Sequence, residues 1–146
     1  MSVSPAATVV IDTNVLLDFW VFDDARAAPL RAVVERGEVC ALRSGPQVDE
    51  LSDVLGRPGF GLSNEQRCSI LRLWDRLAMP VERVFAAPLA CTDPSDQMFL
   101  DLAHTARADW LVTKDRALLK LARRARAIGL AIVEPSAAAT LAERRR

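Results

Sequence analysis

Short apolar runs alternate along this chain with stretches of helical periodicity, and that alternation constrains the fold more than any other feature. The runs are Thr8–Ile11, Val39–Leu42, Val81–Phe85, Trp110–Thr113 and Leu130–Val133. Thr8-Val9-Val10-Ile11 is a continuous, β-branched run, the pattern of a strand covered on both faces rather than one. Strands that run parallel need crossover connections, and helices between them supply these. The alternation therefore predicts an α/β fold, a three-layer α/β/α sandwich around a central parallel sheet of about five strands.

The intervening segments carry helix punctuation. Val15–Trp20 and then Asp23–Arg36 read as one helix or a broken helical pair, closed by Gly37. Ser44 with Gln47 spells a capping box ahead of a helix from Pro46 to Leu55, and Ser63 with Gln66 spells a second ahead of Ile70, Leu71, Trp74 and Leu77. Asp93 as N-cap and Pro94 at the first helical position open a helix whose buried stripe is Met98, Phe99, Leu102, Ala103 and Ala106. Leu118–Ile128 reads as a helix closed by Gly129, and residues 135–146 as a tail or short helix. With 146 residues and neither repeat nor linker, residues 1–146 are expected to form one domain that buries roughly two thirds of its unfolded surface.

An apolar fraction of 51% and a charged fraction of 26% exclude a disordered chain, and no run approaches the ~18 apolar residues of a membrane helix. MSVSPAATVV lacks a basic segment followed by a long apolar one, so a cytoplasmic address is expected. Cys40, Cys68 and Cys91 are odd in number and widely spaced, which argues against a disulfide framework and a thiolate zinc site; Cys40 reads as core filler. Nineteen basic residues balance nineteen acidic ones, so affinity for a polyanion must come from a local patch or from a metal.

Asp12, Glu50, Asp96 and Asp115 each follow an apolar run where a strand would hand over to a helix. In a parallel sheet those positions line one edge, so acids distant in sequence meet in one cleft. Each has a plain structural alternative. Asp12 and Asp115 are good N-caps, and Asp96, near the start of a helix, benefits from its dipole. On the helix after the second strand, Asp49 and Asp53 point away from the apolar stripe, and only Glu50 borders the packed side. Taken together, crowded carboxylates raise one another's pKa unless a cation neutralises them. Oxygen-only ligands favour Mg²⁺ or Mn²⁺, ions that act on phosphate esters by generating hydroxide and stabilising the leaving oxygen.

The blocks VVIDTNVLLD from Val9, DELSDVLGRPGF from Asp49, DPSDQMFLDLA from Asp93 and ADWLVTKDRALL from Ala108 resemble the PIN-domain family, in particular the toxin components of bacterial toxin–antitoxin operons. The resemblance implies a Mg²⁺- or Mn²⁺-dependent nuclease that cuts single-stranded RNA, is restrained by an antitoxin protein and forms a homodimer. It carries the acidic quartet onto Asp12, Glu50, Asp96 and Asp115 as catalytic and metal-binding residues. Asn14 and Thr113 become polar neighbours holding water or phosphate. Asp93, three residues before Asp96, is the competitor for the third position. On this reading Asp12, Asp96 and Asp115 hold the main ion, and Glu50 completes the site and orients the attacking water.

Other chemistries lack their residues. The one histidine, His104, falls opposite the stripe of its helix, and there is no G-x-S-x-G elbow, Walker lysine motif or G-x-G-x-x-G loop. An aspartyl phosphatase would place a second acid where Asn14 stands. The alternative of a different class is a non-catalytic PIN-fold module that binds RNA or protein. Arg123, Arg124 and Arg126, with Arg144 to Arg146, are candidate phosphate contacts against the plainer reading of a solvated face. Phe19, Trp20 and Phe22 are read as core in preference to part of a dimer or antitoxin groove.

Overall fold

Side-chain alternation along the first strand sets the layering. In the computed structural model, which describes residues 6–145, β1 (Ala7–Ile11) turns Val9 and Ile11 to one face of a sheet and Val10 to the other, all fully buried. Half of the amino-terminal segment read for a leader, residues 1–5, and the last terminal arginine lie outside the described residues. The sheet is parallel throughout, ordered β3-β2-β1-β4-β5, with β2 (Val39–Arg43), β3 (Ala78–Pro80), β4 (Trp110–Val112) and β5 (Ala131–Val133). On the Val9 face pack α1 (Thr13–Trp20), α2 (Ala28–Glu35), α3 (Gly45–Leu55), α4 (Asn64–Leu77) and α8 (Pro135–Arg144). On the Val10 face pack α5 (Gln97–Thr105), α6 (Arg116–Leu119) and α7 (Ala122–Arg126). This is the expected α/β/α sandwich. No helix among the described residues is long and apolar enough to cross a membrane.

The chain builds outward from β1 in one direction to β2 and β3, then crosses to the other side of β1 for β4 and β5. The order reverses between β1 and β4, and at such a switch point the two connections diverge and leave a crevice at the carboxyl ends of the strands. Asp12 follows β1 and Thr113 follows β4, so both stand at that crevice.

Several elements depart from the sequence reading. The third strand is Ala78–Pro80, not Val81–Phe85: α4 runs into it with Ala78 as its C-cap, because the buried Trp74 and Ala78 draw that end of the helix onto the sheet beside β2. Pro80, read as a bracket, lies inside the strand, which its edge position allows because no neighbour needs its missing N–H. Only Val81 continues the pairing, donating its N–H to Arg43 O at 2.8 Å, and Phe85 ends 65% exposed. The helix expected over Leu118–Ile128 divides into α6 and α7. Leu121 N–H donates to Leu118 O at 2.9 Å, an i→i+3 bond that tightens the chain so that both leucines are buried. The first helical stretch is a pair, α1 and α2. Phe19 is core and Trp20 half-buried, whereas Phe22 is exposed and meets Phe60 edge-on with ring centres 5.7 Å apart. Cys40 and His104 are half-buried.

The two capping boxes differ. The box at Ser63 and Gln66 is complete. At Ser44, Oγ accepts from Gln47 N–H at 3.3 Å, but the Gln47 side chain turns inward and donates from Nε2 to Ile11 O at 3.1 Å. A fully buried amide thus ties the start of α3 to the end of β1, beside Asp12. Gln47→Ala should lower stability by about 1–3 kcal/mol in urea unfolding, since it strands a buried carbonyl and opens a gap. A change below ~0.5 kcal/mol would show that this tie is idle.

Candidate metal centre

Asp12, Asp93 and Asp115 are each placed by a hydrogen bond at the start of a helix or turn, and Glu50 by one further along α3. Asp12 caps α1, its Oδ1 accepting from Asn14 N–H at 3.2 Å, while its Oδ2 accepts from the Thr113 hydroxyl at 2.7 Å. That hydroxyl also accepts from Asp115 N–H at 2.9 Å, so one fully buried threonine ties together the ends of the adjacent strands β1 and β4. Asp115 caps α6, with Oδ1 accepting from Ala117 N–H at 2.7 Å. Glu50, half-buried on the second turn of α3, accepts at Oε2 from the Thr13 hydroxyl at 2.7 Å. Capping and cleft-lining are thus the same placement. A carboxylate has about four lone-pair positions, and a cap uses only some of them.

Asp93 and Asp96 bracket a 3₁₀ turn, Pro94–Asp96, that leads into α5. Asp93 Oδ1 accepts from both the amide and the hydroxyl of Ser95, at 3.0 and 2.7 Å. Asp96 is 8% exposed, and its buried Oδ2 has no hydrogen-bond partner. Carboxylate oxygens of Asp93, Asp96 and Asp115 lie within 4.8 Å of one another. Asp12, Asn14 and Glu50 line the same cleft of about 260 Å³, and Thr113 lies buried beneath it. The structure thus gathers all the nominated residues, with Asp96 and its competitor Asp93 present side by side. Arg57, Phe60 and Ser95 also line it and were not singled out. Only the break Gly56-Arg57-Pro58-Gly59 hinted that this loop would fold back onto the acids.

Arg57 lines the cleft but is paired with none of its acids. None of the ion pairs among the described residues includes Asp12, Glu50, Asp93, Asp96 or Asp115. Burial, and then the neighbouring Asp115, Asp12 and Asp93 carboxylates, push Asp96 up to about 7. Burial is also the largest influence raising Asp12, helped by Asp115 and Glu50 and opposed by the Thr113 and Asn14 hydrogen bonds. Asp93 is held below the usual carboxylate range by Ser95. An orphaned buried oxygen among converging carboxylates, with oxygen as the only donor type, fits a hard divalent cation.

A parallel α/β/α sheet with a carboxylate cleft at its switch point defines a fold whose site is suited to a divalent cation. The sequence matches the family model of the PIN domain over residues 8–117, and the chain belongs to the PIN-domain family. PIN domains are generally metal-dependent nucleases that use divalent ions, and the acids gathered here could bind one. No curated protein gives a significant match.

Thr113→Val keeps the shape but removes the hydroxyl between Asp12 and Asp115, and should weaken Mn²⁺ binding on the order of 10- to 100-fold by calorimetry, with Thr113→Ser largely restoring it. Equal affinity in all three proteins would deny Thr113 a positioning role. Asp96 predicts a pH dependence. Its folded pKa, about 7, lies above the ordinary 3.8, so its contribution favours the ion-free folded state below about pH 4 and is lost as pH rises through 7. In a chelator, wild type should lose Tm relative to Asp96→Asn across that window, and Mg²⁺ added near pH 7.5 should raise wild-type Tm more than that of the variant. Parallel Tm curves would contradict it.

Proposed function

We propose that this protein is a Mg²⁺- or Mn²⁺-dependent endoribonuclease that hydrolyses phosphodiester bonds of single-stranded RNA, acting as the toxin of a toxin–antitoxin pair. The observation that carries the reading is Asp96: a buried carboxylate with an unpartnered oxygen, beside Asp115, Asp93 and Asp12, with no protein cation on any of them. A structural acid would be satisfied by hydrogen bonds, as Asp109 is by Thr8. Membership of the PIN family supports the nuclease class, and the resemblance of the Val9, Asp49, Asp93 and Ala108 blocks to toxin components supports the narrower role. An antitoxin protein and a second copy of the chain are its proposed partners.

In this mechanism Asp12, Asp96 and Asp115 would hold the ion, with Glu50 completing the site and Asp93 adding an oxygen from the exposed side. A bound Mg²⁺ or Mn²⁺ supplies Lewis-acid polarisation of the phosphate and offsets charge on the leaving oxygen. The protein's share is positioning. Thr113 and Thr13 fix Asp12 and Glu50, so the donor oxygens are set before substrate arrives. Glu50 orients the attacking water and accepts its proton as the new P–O bond forms; the leaving oxygen takes a proton from solvent. Asn14 and Arg57, both exposed along the cleft, are placed to contact phosphate.

Asp12→Asn and Asp115→Asn should each lower Mn²⁺-dependent cleavage of single-stranded RNA on the order of a thousandfold, and a chelator should abolish it. A gel assay of the antitoxin-free protein checks this. If wild type with either ion cuts no RNA at all, the non-catalytic binding module replaces the enzyme.

A further inference from the structure

The balanced charge of the whole chain hides a local excess. From Arg116 to Arg126, α6, α7 and the turn between them carry Arg116, Lys120, Arg123, Arg124 and Arg126 and no acid. All five are exposed, and none enters an ion pair among the described residues. Neighbouring cations are taken: Lys114 by Asp18, Arg145 by Asp109 and the face of Trp110. Leu118, Leu121 and Ala125 occupy the inner face of the same segment, so the cations are confined to its outer side. Like charges this dense repel one another, and a polyanion lying along them relieves that repulsion.

Position makes the strip more than a solvated face. It begins at the residue after Asp115, on the rim of the acidic cleft, and follows the crossover from β4 to β5 towards the opposite edge of the sheet. At about 1.5 Å per residue its two short helices reach at most roughly 16 Å, room for a few nucleotides. Just beyond its end, Ile128 and Gly129 form one wall of a cavity of about 570 Å³, shared with His104, Arg107 and Phe85, which is 65% exposed. A cationic strip leading to an exposed aromatic suits a single strand, whose bases are free to stack on a ring, better than a duplex, whose bases are hidden.

We propose that the α6–α7 strip is an exosite for single-stranded RNA, holding the backbone beyond the cleaved bond and delivering an unstacked base to the Phe85 cavity. The identity of the substrate rests on the nuclease reading above; the existence of the site does not. The test is binding of a fluorescein-labelled, unstructured RNA oligonucleotide to the full chain in a chelator, across a salt series. Arg123→Ala with Arg124→Ala should reduce the slope of log affinity against log salt by roughly 1 to 2 and weaken binding on the order of tenfold. Phe85→Ala should weaken binding without changing the slope. Arg72→Ala with Arg76→Ala, equally exposed on α4, should alter neither. The exosite is overturned by an unchanged slope in the strip variant, by an equal loss in the α4 control, or by equal affinity for a duplex of the same sequence. Wild type that binds with the full slope but cuts nothing when Mg²⁺ or Mn²⁺ is supplied sinks the nuclease and supports the exosite. Cleavage by a wild type whose slope the strip variant shares does the reverse.

Discussion

Carboxylates that crowd into a sheltered cleft repel one another, and each is more easily left uncharged than left without a counter-ion. That constraint organises this molecule. Asp12, Glu50, Asp93 and Asp115 are held by amides and hydroxyls, from Asn14, Thr13, Thr113, Ser95 and Ala117, and none of the cleft acids enters an ion pair among the described residues. Hydrogen bonds of this kind place a carboxylate without cancelling its charge. Burial, and then the neighbouring Asp115, Asp12 and Asp93 carboxylates, push Asp96 up to about 7. A divalent cation would relieve the repulsion, which gives the ion-binding reading an energetic basis as well as a geometric one.

Topology decides where that repulsion falls. Because β1 sits between β2 and β4, the segments that leave β1 and β4 diverge, and the crevice between them is the only part of the edge where Asp12 and Asp115 can face each other. Two buried polar side chains hold the arrangement. Gln47 ties α3 to the end of β1, and so carries Glu50 towards Asp12; Thr113 ties the end of β4 to Asp12. Neither needs to touch a substrate to matter. Each locks a carboxylate-bearing element to the sheet, where a loose attachment would leave the donor oxygens misplaced.

The surface separates opposite charges over a short distance. Acids line the cleft, while the segment beginning one residue after Asp115 is purely basic. In a protein of zero net charge, such a division gives a polyanion a place to settle beside, rather than within, the acidic site. A bound cation in the cleft would extend the favourable path to the phosphate itself.

From the sequence by itself came the layered α/β/α class, the parallel sheet, and the grouping of Asp12, Glu50, Asp96 and Asp115, because apolar periodicity and strand-end position are local properties of the chain. The competition between Asp93 and Asp96 was also legible, since both stand at one helix entrance. What the tertiary structure alone decided depends on contacts between distant segments. β3 fell on Ala78–Pro80 because β2 offered its edge there, although Val81–Phe85 is the better strand sequence. Gln47 left its capping box for Ile11 O because a buried carbonyl outweighs one more exposed helix amide. Arg57 and Phe60 reached the cleft through a loop whose path no periodicity encodes. That the α6–α7 cations enter no ion pair among the described residues likewise depends on how the elements pack, which propensity does not determine.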